Sequence, residues 1–218
     1  QYIVQNINPI ASFGTNPVDN FNSSSSSVTF ELKVSDNLGV SFLRVYGNWG
    51  GSWIANQTNT TPVNDTIWSI TVNGIPEGTW VWAEWGNDTL NNQDFTDTNR
   101  TFTVDATAPR WQNNATNGTQ AGTFIQHSVN WTDDNALSGY IFEFDNGTGT
   151  FNNDSFATFT GTTNFSNVTK FVNQTEGSTI RWRVYANDSL GNLNSTSIFQ
   201  YTTTVDNPPT WNNASVND

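Results

Sequence analysis

The sequence repeats itself at a distance of 100 residues. Residues 79–92 (TWVWAEWGNDTLNN) align without a gap with residues 179–192 (TIRWRVYANDSLGN), and a tryptophan and an Asn-Asp pair coincide. The run TVD at 103–105 matches the run TVD at 204–206, and a proline and a tryptophan follow each run. Because about 100 residues is the size of a small domain, the chain is predicted to contain two copies of one domain.

The repeated linkers set the predicted domain boundaries. The first domain covers residues 1–105, the second covers residues 106–206, and residues 207–218 repeat the beginning of a domain without its body. That last segment is either the start of a third repeat in a longer array or a strand that completes a sheet in a neighbouring copy. Under both interpretations Trp211 needs a covering partner, and copies of the chain are expected to associate end to end.

The alternation of apolar and polar residues predicts β-strands. Residues 28–34 and 125–131 alternate with a period of two, which is typical of half-buried strands. Strong helix formers are scarce, and Asn, Asp and Gly mark turns between the apolar runs. Further strands are predicted at residues 42–46, 68–72, 80–85 and 100–104, and at 140–144, 156–159, 170–173, 180–185 and 198–205.

About seven strands in each repeat predict an all-β fold of two tandem immunoglobulin-like β-sandwich domains. The face that Trp182 shares with Val184 is assigned to the core of the second domain. Glu84 falls on the equivalent face of the first domain, where we expect a bulge or an edge position. His127 is in phase with the core positions of its strand and is expected to pack there, whereas Asn130 is expected to point outward.

Composition excludes several functional classes. The net charge is −12 and no basic stripe is present, which excludes nucleic-acid binding, and no apolar run is long enough to predict a membrane span. Cysteine is absent and His127 is the only histidine, so thiol and Ser-His-Asp chemistry lack their residues. The close carboxylate pairs lie in turn signals, so we predict no catalytic residues and no enzyme. These pairs are Asp133 with Asp134 and Asp94 with Asp97.

Glycosylation sequons are the most frequent motif. Asn-x-Ser/Thr occurs 17 times, roughly twice the number that the Asn, Ser and Thr content predicts. N-glycosylation requires export, and an exported eukaryotic protein of this size usually carries disulfides. Sequons without cysteine therefore favour an extracellular protein at a prokaryotic, in particular an archaeal, cell surface. The predicted glycosylation sites are Asn22, Asn56, Asn59, Asn64, Asn87, Asn99, Asn114, Asn117, Asn130, Asn146, Asn153, Asn164, Asn167, Asn173, Asn187, Asn194 and Asn213.

A family resemblance rests on two runs of the second repeat. The run WRVYANDSLGN at 182–192, followed by TTVDNPPTW at 203–211, resembles the tandem Ig-like, fibronectin III-like repeats of archaeal cell-surface and extracellular filament proteins. The first repeat departs from the pattern, with EWG at 84–86 where VYA stands at 184–186. The resemblance covers both repeats and implies a structural or adhesive role without catalysis.

Two functions are consistent with these features. The leading hypothesis is an extracellular structural protein, a heavily N-glycosylated subunit of a filament, stalk or surface layer, whose partners are copies of itself. The alternative is a carbohydrate-binding or adhesion module in which exposed tryptophans stack on surface glycans. Trp49, Trp53 and Trp85 are the candidate platform, although core packing also accounts for tryptophans in a sequence with so few aliphatic residues.

No cofactor is expected beyond covalent N-glycans, and no metal ligands are predicted. Calcium is the alternative, because aspartates open equivalent turns in both repeats and these loops share one end of the fold, although simple Asx turns explain the same residues. Trp111 and Trp211, each just past a proline, are expected to seal domain junctions. The aspartates considered for calcium are Asp36, Asp88, Asp134 and Asp188.

Overall fold

The computed structural model describes residues 5–205 of the chain. Within that range all regular structure is β, which confirms the predicted all-β fold class, and no helix that could cross a membrane is found there. The chain divides into two compact units, Gln1–Ala106 and Thr107–Asp218, close to the boundary inferred from the sequence. Residues 207–218, predicted to begin a third repeat or to form an exchanged strand, lie outside the described residues.

Unit 1 is a sandwich of two β-sheets. Its strands are β1 (Ile10–Phe13), β2 (Phe21–Ser23), β3 (Val28–Ser35), β4 (Val40–Gly47), β5 (Ile54–Asn59), β6 (Trp68–Val72), β7 (Gly78–Asp88), β8 (Gln93–Phe95) and β9 (Arg100–Val104). The smaller sheet has the order β1–β3–β6, and the larger has the order β2–β9–β7–β4–β5 with β8 also paired to β7. Neighbouring strands are antiparallel except β2 and β9, which are parallel.

Unit 2 repeats this arrangement. Its strands are β10 (Arg110–Thr116), β11 (Phe124–Thr132), β12 (Leu137–Asp145), β13 (Asn152–Asn153), β14 (Ala157–Thr158), β15 (Thr163–Phe171), β16 (Thr179–Asp188), β17 (Leu193–Ser195) and β18 (Phe199–Thr202). The smaller sheet is β10–β11–β15, and the larger is β13–β12–β16–β17, with β14 paired to β12 and β18 to β16. Each unit is thus an Ig-like, fibronectin III-like sandwich.

Differences between predicted and observed strands lie in polar segments. The strand predicted at residues 170–173 is β15, which begins seven residues earlier, at Thr163. The strand predicted at 156–159 pairs only over Ala157–Thr158, and β5 is absent from the sequence prediction. Both β5 and the added part of β15 lie at sheet edges and are rich in Asn and Thr, so they lack the apolar alternation that marks a half-buried strand.

A buried tryptophan occupies the centre of each sandwich. In unit 1, Trp82 packs on Phe30 of the opposite sheet with ring centroids 4.9 Å apart, and Phe30 also stacks on Trp49 at 5.4 Å. In unit 2, Trp182 packs on His127 at 5.1 Å, so His127 takes the core position expected for it. Because only 34% of the residues are hydrophobic, large aromatic rings supply much of the core volume.

Glu84 does not occupy the bulge or edge position that was expected from the sequence. Glu84 lies in regular register opposite Val45 on an interior strand, rather than at a bulge or an edge, and it is fully buried. Neither carboxyl oxygen has a hydrogen-bond partner among the described residues. Burial raises the pKa of this carboxyl to about 8. Glu84 is therefore mostly protonated at pH 7.

His127 is the corresponding buried titratable group of unit 2. Its Nε2 lies 3.1 Å from the hydroxyl oxygen of Tyr201, and burial lowers the pKa of the imidazole to about 4. Burial also raises the pKa of the Tyr201 hydroxyl to about 12. Both groups are therefore neutral at pH 7, and the core avoids the cost of burying an unpaired charge.

We expect the two units to respond to pH with opposite signs. Folded unit 1 binds the Glu84 proton more tightly than the unfolded chain does, so the contribution of Glu84 to stability is present below pH 4.5 and is lost, by on the order of 4 kcal/mol, as the pH rises from 4.5 through 8. In unit 2 the contribution of His127 is present above pH 6.5 and is lost as the pH falls through 4. Urea denaturation of the full chain at pH 4, 7 and 9 measures both trends.

The matched variant is Glu84→Gln, in which the amide carries no charge at any of these pH values. We expect it to remove the loss of stability of unit 1 at pH 9 and to leave the unfolding transition of unit 2 unchanged. A Glu84→Gln protein that still loses stability between pH 7 and 9 as the parent does would contradict this account of the buried carboxyl.

Candidate functional site

The sequon asparagines differ in whether their side chains can carry a sugar. Asn213 lies outside the described residues, and the other predicted sites are distributed over both units. A glycan replaces one of the two hydrogens on Nδ2 and needs open solvent around that nitrogen. Six of these asparagines are exposed, and their Nδ2 groups donate no hydrogen bond to a described residue: Asn22, Asn99, Asn114, Asn117, Asn153 and Asn167.

A second group of sequon asparagines uses the side-chain amide to hold the backbone. Asn56 makes two such hydrogen bonds, because its Nδ2 donates to the carbonyls of both Gly47 and Ile54. Attachment of a sugar would break one of these bonds. Three further sequon asparagines belong to neither group, because they are half-buried and their Nδ2 groups hold no backbone carbonyl among the described residues: Asn59, Asn130 and Asn187. The Nδ2 groups that donate to a single backbone carbonyl belong to Asn64, Asn146, Asn164, Asn173 and Asn194.

Asn87 is the exception, because its side chain is buried. Its Oδ1 accepts a hydrogen bond of 2.9 Å from the backbone amide of Phe42, and its Nδ2 donates to Oδ1 of Asn91 at 3.1 Å. Burial leaves little room for a glycan on this nitrogen in the folded domain, so we expect Asn87 to be unmodified, in contrast to the sequence prediction. The sequon coincides with a turn motif, and its tripeptide alone does not distinguish the two roles.

The outer face of the larger sheet of unit 1 carries a cluster of aromatic side chains. The ring of Tyr46 lies at its centre, 5.2 Å from Phe95, 6.2 Å from Trp53 and 6.4 Å from Trp85 between centroids. These four residues are called the aromatic surface. Trp53 and Phe95 are each 41% exposed, so two rings of the cluster remain available to a ligand.

The aromatic surface includes only part of the platform expected from the sequence. Trp85 is buried beneath the guanidinium group of Arg44, 4.5 Å from its ring, and Trp49 lies in the core, contrary to its candidacy as an exposed platform. The ring of Trp49 lies against Gly47, where any Cβ would clash, so the missing side chain lets the ring turn inward. Tyr46 is part of the aromatic surface but is not among the residues predicted for the platform. Its outward position follows from the alternation along β4.

The Asn-Asp turns use their aspartates as structural acceptors. Oδ1 of Asp188 accepts hydrogen bonds from the backbone amides of Leu190 and Asn192 at 2.8 and 2.9 Å, and Oδ2 accepts one from the Asn192 side chain at 2.7 Å. Asp88 makes the same bonds in unit 1. Both turns contain a left-handed residue at the same position, and it is Gly191 in unit 2. This geometry supports the Asx-turn interpretation of these aspartates.

In the other aspartate turn, the residue of unit 2 that is equivalent to Asp36 differs by one position from the one predicted from the sequence. Oδ1 of Asp36 accepts from the amides of Leu38 and Gly39, and in unit 2 the equivalent acceptor is Asp133 rather than Asp134. Burial raises the pKa of Asp133, and the charge of the nearby Asp188 carboxylate adds to the shift. Like the other turn, this one uses an aspartate as an acceptor for its own backbone amides.

Asp134 and Trp111, both singled out from the sequence, make their contacts at strand β10. Asp134 is exposed and lies 3.6 Å from the guanidinium of Arg110, and Trp111 packs on Phe199 within unit 2 at 5.5 Å. Trp211, paired with Trp111 in the sequence prediction, lies outside the described residues. Of the pair considered for glycoside hydrolysis in unit 1, Asp94 accepts a hydrogen bond from the backbone amide of Ala11 at 3.0 Å.

Comparison with known proteins gives similarities of fold only. No family model matches the chain, and no curated protein matches it. The Clostridium thermocellum CbhA fibronectin(III)-like modules align over 90% of this chain and 94% of theirs, with 14% identity and a TM-score of 0.38. The FN1–FN3 domains of chicken CNTN1 align over 86% of this chain and 65% of theirs, with 11% identity and a TM-score of 0.40. A chimeric titin Z1Z2 aligns over 94% of this chain and 100% of its own, with 13% identity and a TM-score of 0.33.

Proposed function

We propose that the protein is an extracellular structural protein, an N-glycosylated subunit of an archaeal cell-surface filament, stalk or surface layer. The observation that carries the proposal is the set of six exposed sequon asparagines with free Nδ2 groups, which occur in both units. Asn22 and Asn114 lie on edge strands of their sheets, where a bulky glycan also blocks unwanted pairing with another strand. A surface of this kind suits a protein that stays outside the cell and resists aggregation.

The arrangement of the chain supports a structural role over catalysis. Two similar sandwiches follow each other in sequence, and three of the four carboxylates considered as catalytic groups have structural partners: Asp94 and Asp133 accept backbone hydrogen bonds, and Asp134 pairs with Arg110. Glycans on the sheet faces would hinder lateral contacts between those faces. The proposed partners are therefore further copies of the chain that associate end to end.

Glycan occupancy is expected to follow the exposure of the sequons. Site-resolved mass spectrometry of the native protein should find sugars at Asn22, Asn99, Asn114, Asn117, Asn153 and Asn167, and none at Asn87 in the folded fraction. The intact mass should then exceed the 24.1 kDa of the unmodified chain. A native protein of 24.1 kDa, or one modified at Asn87 and folded, would overturn the assignment of accessible sites.

Assembly is tested independently of glycosylation. Electron micrographs of native material should show a regular polymer or lattice whose repeating unit contains two sandwich domains. Enzymatic removal of the glycans from purified assemblies serves as the control, since end-to-end contacts should survive it. Dispersed single particles at all concentrations would refute the structural role and leave glycosylation unaffected.

A second candidate function, carbohydrate binding or adhesion, is favoured by the aromatic surface. Its exposed rings lie on one sheet face, and aromatic rings of this kind stack on the apolar faces of sugars. The Nε1 group of Trp85 is already bound to Gln93 at 3.1 Å, so Trp53 is the residue best placed to meet a ligand.

The Trp53→Ala variant separates this candidate from the structural role. If the aromatic surface binds glycans, Trp53→Ala should lower the affinity for a positive glycan on an array by about tenfold or more, as expected for loss of one stacking ring. The matched control is Phe156→Ala, which removes an exposed ring of unit 2 and should leave binding unchanged. Equal binding by the parent and Trp53→Ala would eliminate the aromatic surface as a sugar site.

A further inference from the structure

An exposed phenylalanine lies beside a glycosylation sequon on the outer face of the smaller sheet of unit 2. Phe165 and Asn167 are two residues apart on β15, an edge strand of the sheet β10–β11–β15. Residues at this spacing point to the same face, with side chains about 6.6 Å apart along the strand. Asn130, expected to point outward, lies on the same face directly opposite Phe165 on β11.

The direction of these side chains is set by the residue between them. Ser166 is buried, and its hydroxyl accepts a hydrogen bond of 3.2 Å from Nε1 of Trp131 and donates one to the carbonyl of Val129 at 3.4 Å. Because Ser166 points into the sandwich, Phe165 and Asn167 must both point to solvent. A slip of one residue would bury the sequon and break both hydrogen bonds.

Neither outward side chain makes a ring contact or donates a hydrogen bond within residues 5–205. The ring of Phe165 is 47% exposed and makes no ring–ring or cation–π contact there, and Asn167 donates no side-chain hydrogen bond. An exposed apolar ring on an edge strand favours association with other chains. The ring therefore has a physical reason to be covered, and the nearest exposed attachment point for a cover is Nδ2 of Asn167, because Asn130 on the neighbouring strand is half-buried.

The same spacing occurs elsewhere in the chain, but the rings there are already engaged. An aromatic residue stands two positions before a sequon asparagine at six places in residues 5–205, including Phe165. The other rings are buried or in contact with a described neighbour, for example Phe151 with the guanidinium of Arg181 at 5.0 Å and Phe171 with Phe124 at 5.2 Å. The full set is Trp85, Phe144, Phe151, Phe165, Phe171 and Tyr185.

We propose that Phe165 is the packing surface for the first sugar of a glycan on Asn167. One face of a pyranose ring displays C–H groups, which lose contact with water and meet the electron-rich face of the phenyl ring. The sugar is tethered through Nδ2, so its local concentration at the ring is high without any further binding group. The inference rests on the proposed glycosylation and adds to it an intramolecular sugar site that stabilises unit 2.

A double-mutant cycle on the full chain tests the contact. The chain is produced in a secretory host that modifies Asn-x-Ser/Thr, and its glycans are trimmed enzymatically to the first sugar. Asn167→Gln should lower the Tm of unit 2 by about 4 °C when Phe165 is present and by less than about 1 °C in Phe165→Ala. Proton NMR of the trimmed protein should show sugar signals shifted upfield by the ring, and Phe165→Ala should abolish this shift.

The matched control is Phe124→Ala, which removes a 70% exposed ring at the far end of the same face. It should leave the effect of Asn167→Gln unchanged, and Phe165→Trp should retain the coupling. Additive effects of Phe165→Ala and Asn167→Gln at an occupied site would overturn the packing while the glycosylation stands. An unmodified Asn167 beside occupied Asn22 and Asn114 would overturn the inference at this site alone, whereas a native chain without sugars would overturn the proposed function.

Discussion

Each unit depends on the packing of one tryptophan on an interior strand against the ring that faces it from the smaller sheet. Trp82 meets Phe30 in this way, and a second ring, Phe13 on β1, contacts it edge-on at 4.6 Å. Truncating such a side chain costs about 3–5 kcal/mol, a large part of the stability of a small domain. Because aliphatic residues are few, no neighbouring side chain can fill the space. This contact joins the larger sheet to the smaller one in each unit.

The concentration of apolar area in aromatic rings leaves the surface to neutral amides and hydroxyls. Asparagine accordingly serves several functions on one scaffold. Asn87 is buried and holds a turn, Asn194 bonds the carbonyl of Pro109 at 2.7 Å, and Asn114 is free on an edge strand. The sequon tripeptide is common to all three, so the fold rather than the motif decides which asparagines can carry a glycan.

The two buried titratable groups show how similar folds tolerate polar substitutions in the core. His127 occupies the position of Phe30 and remains neutral because burial lowers its pKa, while Glu84 remains neutral because burial raises its pKa. Each is compatible with an apolar core only in its uncharged form. The conditions under which both are uncharged overlap near neutral pH, although the contribution of Glu84 to stability is greatest below pH 4.5 and that of His127 above pH 6.5.

The sequence by itself determined the repeat, the all-β sandwich and the core faces, because periodicity and turn residues act locally along the chain. The Trp49 ring, the register of the Asp133 turn and the burial of Glu84 were decided only in the tertiary structure. Each depends on what faces the residue from another strand, such as the absent side chain of Gly47 beneath Trp49. The same holds for the candidate sites, since exposure of a sequon or of an aromatic ring is a property of packed neighbours rather than of the residues along the chain.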